Sequence, residues 1–295
     1  MNEKLTKYFS DVKLRIDNSL ERYIEDFENP ASIVVESMKY SLFAGGKRIR
    51  PALAFMTSEL LGVNINEIIP FACAIEMVHT YSLIHDDLPA MDNDNIRRGL
   101  PTNHIKYGEN IAILSGDALL THSFEVLSYL NDNIDYNTFI RVLREFTLAS
   151  GYNGMIAGQI ADVLYENKDI DHDTLRYIHL NKTGKIINAC LRIPAIIAKV
   201  DENILEKIDS LGKLLGMLFQ ITDDILDVKG NVQKLGKTPG KDAKNNKNTY
   251  IKLFGIEKTQ EMAKNVYNDV NGILKELDAT ELFYELSDFI YKRDY

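Results

Sequence analysis

Four aspartates, Asp86, Asp87, Asp92 and Asp94, crowd the stretch YSLIHDDLPAMDNDNIRRG at 81–99, and Arg97 and Arg98 follow at once. Carboxylates this close repel one another unless a cation lies among them. All are oxygen ligands, so Mg²⁺ is the natural guest, with His85 the one softer donor nearby. Mg²⁺ held by a few carboxylates completes its shell with water and substrate phosphates. Two adjacent arginines supply the fork geometry that grips phosphate oxygens. Taken alone, the stretch reads equally well as a solvated acidic turn, because Asp and Asn favour turns on local grounds.

A second stretch breaks that tie. FQITDDILDV, at 219–228, sets Asp223 and Asp227 four apart, on one face of a helix. Like charges so placed cost a helix roughly 0.2–0.5 kcal/mol. Phe219, Ile221, Ile225, Leu226 and Val228 flank them, so the helix is expected to be at least half buried. A buried carboxylate face needs a cation or a partner, and a core salt bridge would serve for one motif. Two such motifs, each in an apolar setting with basic residues downstream, point to two acidic walls facing across one cavity. Mg²⁺ and a diphosphate would lie between them.

DDLPAMD with NIRRG, paired with DDILD, resembles the two aspartate-rich motifs of the trans-prenyltransferases, the isoprenyl diphosphate synthases. GGKRIRP (45–51), His79, GQIADV (158–163), KTG (182–184) and GKTPGKD (236–242) extend the likeness over nearly the whole chain, in family order. The DDxxxxD spacing, with Pro-Ala inserted, is similar to that of the bacterial short-chain members. The resemblance implies one polyprenyl synthetase domain over 1–295, an all-α bundle around a central cavity. It implies two to three Mg²⁺ ions on Asp86, Asp92 and Asp223. It implies isopentenyl diphosphate on Lys47, Arg50, His79 and Arg98, and an allylic diphosphate on Arg97, Lys182, Thr183, Gln220 and Lys237. Lys182 also counts as catalytic. Asn95 and Leu100 depart from common family residues, at positions assigned to neither metal nor phosphate.

The expected chemistry is head-to-tail chain elongation. The allylic diphosphate is drawn off, isopentenyl diphosphate attacks the cation, and a proton is lost. Charge stabilisation on the leaving oxygens matters more here than a side-chain base. Tyr81 lies five residues before Asp86, about 7.5 Å along a helix, and Ser82 lies four before. In the family an aromatic near this position goes with fifteen-carbon products. Farnesyl diphosphate is therefore the expected product and geranylgeranyl diphosphate the alternative. A non-catalytic regulatory subunit is a rival of another class, which intact acidic motifs argue against. A metal phosphohydrolase would need more histidines at metal spacing, and a terpene cyclase has no use for the GGKRIRP cradle.

Several of these residues carry plainer readings. The glycine pair before Lys47 also suits a solvated turn between helices. A lone His79 on an apolar helix is more often a core residue. Lys182 would fall mid-helix, where a snorkelling surface lysine is usual. Lys237 and Lys241 lie in a Gly-rich loop that suits either a turn or an active-site lid. Gly151, Gly154 and Gly158 form a seam suited to close helix packing, with Gln159 and Asp162 candidates to face the cavity.

The elements that must position these residues follow a helical period. Leu5, Tyr8, Phe9, Val12, Ile16 and Leu20 mark one face of a first helix, ending at Asn29-Pro30. Further helices are expected at 33–44, from Pro51 to Gly62, and at 71–87, 110–130, 139–166, 173–199 and 203–229. A loop at 230–247 and two or three last helices complete the chain. Six of the seven prolines fall near element ends in this reading, with Pro194 inside a helix. No run alternates with period two, so no sheet is expected.

Composition bounds the rest. The net charge of −9 and pI near 5.3 argue against nucleic acid as partner. Cys73 and Cys190 read as buried thiols of a reducing cytosol rather than a disulfide. No stretch was expected to reach the ~20 apolar residues that span a bilayer. The start, MNEKLTKYFSD, has no apolar core of a secretory signal. A cytoplasmic location follows from these points, and the family resemblance implies a homodimer.

Overall fold

The computed structural model describes residues 2–132, 134–229 and 247–292. Lys237 and Lys241 lie outside the described residues, as does most of the predicted Gly-rich loop. The regular secondary structure of the described residues is helical but for one hairpin of two-residue strands. Helix α1 is Glu3–Tyr23, α2 Ile33–Leu42, α3 Ile49–Leu60 and α4 Ile65–Asp86. After the hairpin come α5 Asn103–Tyr107 and α6 Glu109–Ser128, then α7 Tyr136–Ser150, α8 Met155–Leu164 and α9 His172–His179. Helices α10 Lys185–Ile197, α11 Glu202–Lys229, α12 Tyr250–Phe254, α13 Ile256–Glu276 and α14 Glu281–Tyr291 follow.

Helix α1 stops at Tyr23, seven residues before Pro30, so that proline does not end it. Helix α4 begins earlier than expected. Asn64 accepts the amide of Asn66 at 3.0 Å and caps it, which places Pro70 inside the helix beside the expected Pro194. This helix is also long and apolar enough to cross a membrane by length and composition, with a mean hydropathy of 1.2, contrary to the expectation. Its side chains from Ile68 to Val78 are almost all buried in the bundle, which accounts for their apolar character. Helix α4 packs along α6, and α10 along α11, so the two acidic stretches sit on the central helices. Both cysteines are buried and free.

Three differences from the periodicity lie close to the cavity. Ile96–Arg97 and Leu100–Pro101 pair antiparallel, so a minimal sheet exists where none was expected. The turn residues Arg98 and Gly99 both have positive φ, 53° and 80°, as a tight two-residue hairpin requires. The helix expected at 139–166 is broken into α7 and α8. A Cβ on Gly154 would lie 2.3 Å from the carbonyl oxygens of Leu148 and Ala149, so only glycine makes this bend. The helix expected at 173–199 is interrupted by a π turn, Leu180–Gly184. Single π turns inside α-helices often mark functional sites.

One buried cation ties the amino-terminal half together. Arg48, in left-handed conformation with φ 51°, has its side chain wholly buried. It donates to Asp17 Oδ1 of α1 (2.9 Å), Glu76 Oε1 of α4 (2.8 Å) and the Leu42 carbonyl (2.7 Å). The sequence reading counted it only among the cradle's cations; its partners make it structural. Arg48→Met should strand Glu76, whose side chain is 3% exposed. A loss of about 3–5 kcal/mol is expected in urea unfolding, as when one partner of a buried pair is removed. A loss below about 1 kcal/mol would show that the triad is dispensable.

Candidate active site

A cavity of about 750 Å³ opens among α3, α4, α6, α8, α10 and α11. Lys47, Arg50, His79, Arg97, Arg98, Lys182, Thr183 and Gln220 all line it, as do Asp86, Asp223, Tyr81 and Ser82. Residues that the sequence spreads from Lys47 to Asp223 therefore face one space. The exceptions are Lys237, outside the described residues, and Asp92, which borders an adjoining recess with Asp162 and Lys247.

One wall gathers cations. Arg98 leaves the hairpin turn and donates to the Gly45 carbonyl, its guanidinium lying against Gly46. Burial lowers the pKa of both Arg50 and Arg98 from the usual guanidinium value. His79 is driven well below the ordinary histidine range, first by burial, then by Arg50, Arg98, Arg97 and Arg48. Its surroundings thus disfavour the imidazolium form. The Arg50 Nε is buried without a hydrogen-bond partner. A guanidinium donor left unpaired in a cation-rich cavity is a vacancy for an anion's oxygen.

The facing wall is acidic. Burial raises the Asp86 carboxyl above the usual range. Lys182, Arg97 and Lys247 oppose that rise, while Asp92 adds to it. The Asp92 amide donates to the Asp86 carbonyl at 2.9 Å, and its carboxylate accepts Lys247 Nζ at 3.1 Å. The next residues in each acidic pair turn elsewhere. Asp87 is buried and accepts Arg97 Nε at 2.9 and 2.8 Å, so Arg97 is held by a protein carboxylate while it lines the cavity. Asp224 is buried and accepts the Tyr250 amide at 2.7 Å. Asp227 does not line the cavity, although helical spacing put it on the Asp223 face.

The third side positions Lys182. A Cβ on Gly158 would come within 2.0 Å of the Lys182 backbone nitrogen, so α8 and the π turn pack backbone to backbone. Lys182 Nζ donates to Asp162 at 2.7 Å, which aims it along the cavity wall rather than into solvent. Gln159 lines the cavity as expected; Asp162 acts through Lys182. Sequence reasoning missed Glu76, Asp117 and Leu120, which also line the cavity. A lone Asp117 in the apolar run of α6 was the available signal.

Away from the charges the cavity is lined by Tyr81, Leu120, Met155, Ile156, Ile186 and Phe219. Tyr81 is 6% exposed, and its ring meets that of His85 edge to face at 5.7 Å. The site thus joins a charged lining to an apolar one.

The family model for polyprenyl synthetase matches residues 31–283. The chain belongs to that family. Among its relatives are the farnesyl diphosphate synthase of Bacillus subtilis, 41% identical over all of both chains, and that of Geobacillus stearothermophilus, 44% identical over 86% of each. A chloroplastic geranylgeranyl pyrophosphate synthase of Catharanthus roseus is 41% identical over 94% of this chain and 79% of its own. Among solved structures, an FPP/GFPP synthase of Zymomonas mobilis matches with TM-score 0.88 and 30% identity over 99% of this chain and all of its own. A Helicobacter pylori geranyltransferase, complexed with magnesium and isoprenyl diphosphate, matches with TM-score 0.85 and 31% identity, covering 99% and 98%. The all-α fold and the prenyltransferase reading of the polyprenyl synthetase motifs stand on these matches.

The close backbone approach at Gly158 has a direct consequence. Gly158→Ala should push the π turn outward and displace Lys182, lowering turnover with helix content unchanged. A fall of at least about tenfold in kcat, with an unaltered circular dichroism spectrum, is expected from misplacing one charged group. Wild-type turnover would mean that the approach is not needed.

Proposed function

We propose that this chain joins isopentenyl diphosphate head to tail with dimethylallyl and then geranyl diphosphate, and releases farnesyl diphosphate. The observation that carries the reading is the unpaired, buried Arg50 donor in a cavity that Asp86 and Asp223 also line. Lys47, Arg50, Arg98 and His79 would bind one diphosphate. Lys182, Thr183 and Gln220 would hold the other, beside Arg97. Relatives named farnesyl diphosphate synthase over the full chain support the product.

The donor set also suits Mg²⁺. Asp86, Asp92 and Asp223 offer only hard oxygens, and Asp86 is a carboxylate that burial disfavours as an anion. Magnesium held by a few carboxylates would complete its shell with water and substrate phosphates. When bound, magnesium supplies charge neutralisation of the departing diphosphate. The chain's own groups do the rest. Lys182 and its neighbours take up charge on the leaving oxygens as the allylic carbon–oxygen bond breaks. The isopentenyl double bond then forms the new carbon–carbon bond, and the proton it loses passes to the released diphosphate. The apolar lining keeps water from the allylic cation.

Tyr81 would close the pocket after fifteen carbons. Twenty-carbon synthesis is the second reading, because relatives named for geranylgeranyl diphosphate share 38–42% identity. Two free, buried thiols suit a reducing cytoplasm. The exposed apolar residues Ile113 and Leu114 of α6 and Ile160 and Leu164 of α8 suit contact with a second copy in a homodimer.

Three measurements test the reading. Asp86→Ala and Asp223→Ala should each cut turnover at least ~10²-fold, on the scale of losing one charge-stabilising group; near-normal rates in a folded variant would remove that residue from the metal site. Arg98→Ala should raise the KM for isopentenyl diphosphate and Lys182→Ala that for the allylic substrate, each by about 1.5–3 kcal/mol. Equal effects on both substrates would merge the two sites. Tyr81→Ala should lengthen the chromatographed product, and Ser82→Phe should shorten it to geranyl diphosphate. A twenty-carbon product from the unaltered protein would reject farnesyl diphosphate.

A further inference from the structure

Lys47 follows two glycines at φ 106° and 114° and precedes the left-handed Arg48. That backbone fixes where its side chain starts, but the residue is exposed and its chain has four rotatable bonds. A lysine ammonium is a compact, strongly hydrated charge that wanders unless something holds it. In this structure its Nζ lies 4.7 Å from the centroid of the Phe289 ring, within the range of about 6 Å over which a ring face attracts a cation. Phe289 does not itself line the cavity, whereas Lys47 does.

The ring is held firmly. Helix α14 buries Phe283, Leu286 and Ile290 in the core, and Phe289 meets Phe9 of α1 edge to face, with centroids 6.4 Å apart at 61°. The same ring presents its negative face to the Lys47 ammonium, which a leucine in its place could not do.

We infer that Phe289 is a positioning residue, whose ring face holds the Lys47 ammonium at the cavity rim for the diphosphate of the isopentenyl substrate. The inference rests on the reading of the cavity proposed above. It links the first and last helices to the phosphate cradle through Phe9, Phe289 and Lys47. It also makes one substrate sensitive to a side chain that touches neither.

Stepwise fluorination of the ring tests it, because fluorine weakens the negative face with little change in packing. With 4-fluoro-, 3,5-difluoro- and 3,4,5-trifluorophenylalanine at 289, the KM for isopentenyl diphosphate should climb in steps, to about two- to fivefold in total. The kcat and the allylic KM should stay as in the wild type. Phe289→Leu should match the most fluorinated ring, and Phe289→Tyr should retain wild-type values. In a Lys47→Met background the trend should vanish. An active enzyme with a flat series, or with both KM values moving together, overturns the positioning role alone. A wild type that does not condense isopentenyl diphosphate overturns the proposed function, and this inference with it.

Discussion

The structure depends on charge held out of water without a full set of protein counter-charges. Burial disfavours the charged forms of Arg50, Arg98 and His79, with neighbouring arginines adding to it at Arg98 and His79, and burial likewise disfavours the Asp86 anion. The two walls offset each other only in part: Lys182 and Arg97 lower the Asp86 pKa and Asp223 raises that of Arg50, yet burial outweighs both. The natural remedy is a ligand of opposite sign at each wall: phosphate oxygens for the cations, a divalent ion for the carboxylates. Such sites lose stability to burial when empty and recover it through binding. The surrounding helices must therefore be held by contacts away from the site. The Arg48 triad and the large apolar core perform that task.

Irregular backbone is concentrated where charge is delivered. Arg48 and Arg98 are both left-handed, a conformation uncommon outside glycine and asparagine. Lys182 sits in a π turn, and the bend at Gly154 sets the line of the helix that packs on it. Regular helices could not bring these side chains to one point, because an α-helix offers a new position only every 100°. Each departure re-aims one cation, and each is stabilised by a neighbour: Gly45 and Gly46 for Arg98, Gly158 and Asp162 for Lys182.

That pattern explains what the sequence disclosed. Helical period and proline placement were sufficient for an all-α chain and for most helix positions, since these are local properties. The lining residues Lys47, His79, Asp86, Lys182 and Asp223 were legible through their motifs. The breaks at Gly154 and Leu180–Gly184 were not, because they satisfy contacts with distant segments rather than any local preference. Pro70 was hidden by the capping of Asn64 six residues earlier. Side-chain partners were the least legible part. Nothing in the order of residues says that Arg48 faces Asp17 and Glu76, or that Arg97 faces Asp87.

The two adjacent acidic pairs illustrate the point and give it a use. Consecutive helical residues project about 100° apart, so both members of Asp86-Asp87 or Asp223-Asp224 cannot serve one cavity. In each pair the first faces the cavity and the second is buried, bonded to the segment that follows. Asp87 holds Arg97, and with it the hairpin whose turn presents Arg98. Asp224 holds the Tyr250 amide at the start of α12, three residues after Lys247, which reaches Asp92. Each pair thus joins an acidic group at the wall to an anchor that brings a cation back toward it. A doubled aspartate in this chain is one ligand position and one hinge pin, and the two duties require different environments: partial access for the first, full burial with a satisfied hydrogen bond for the second.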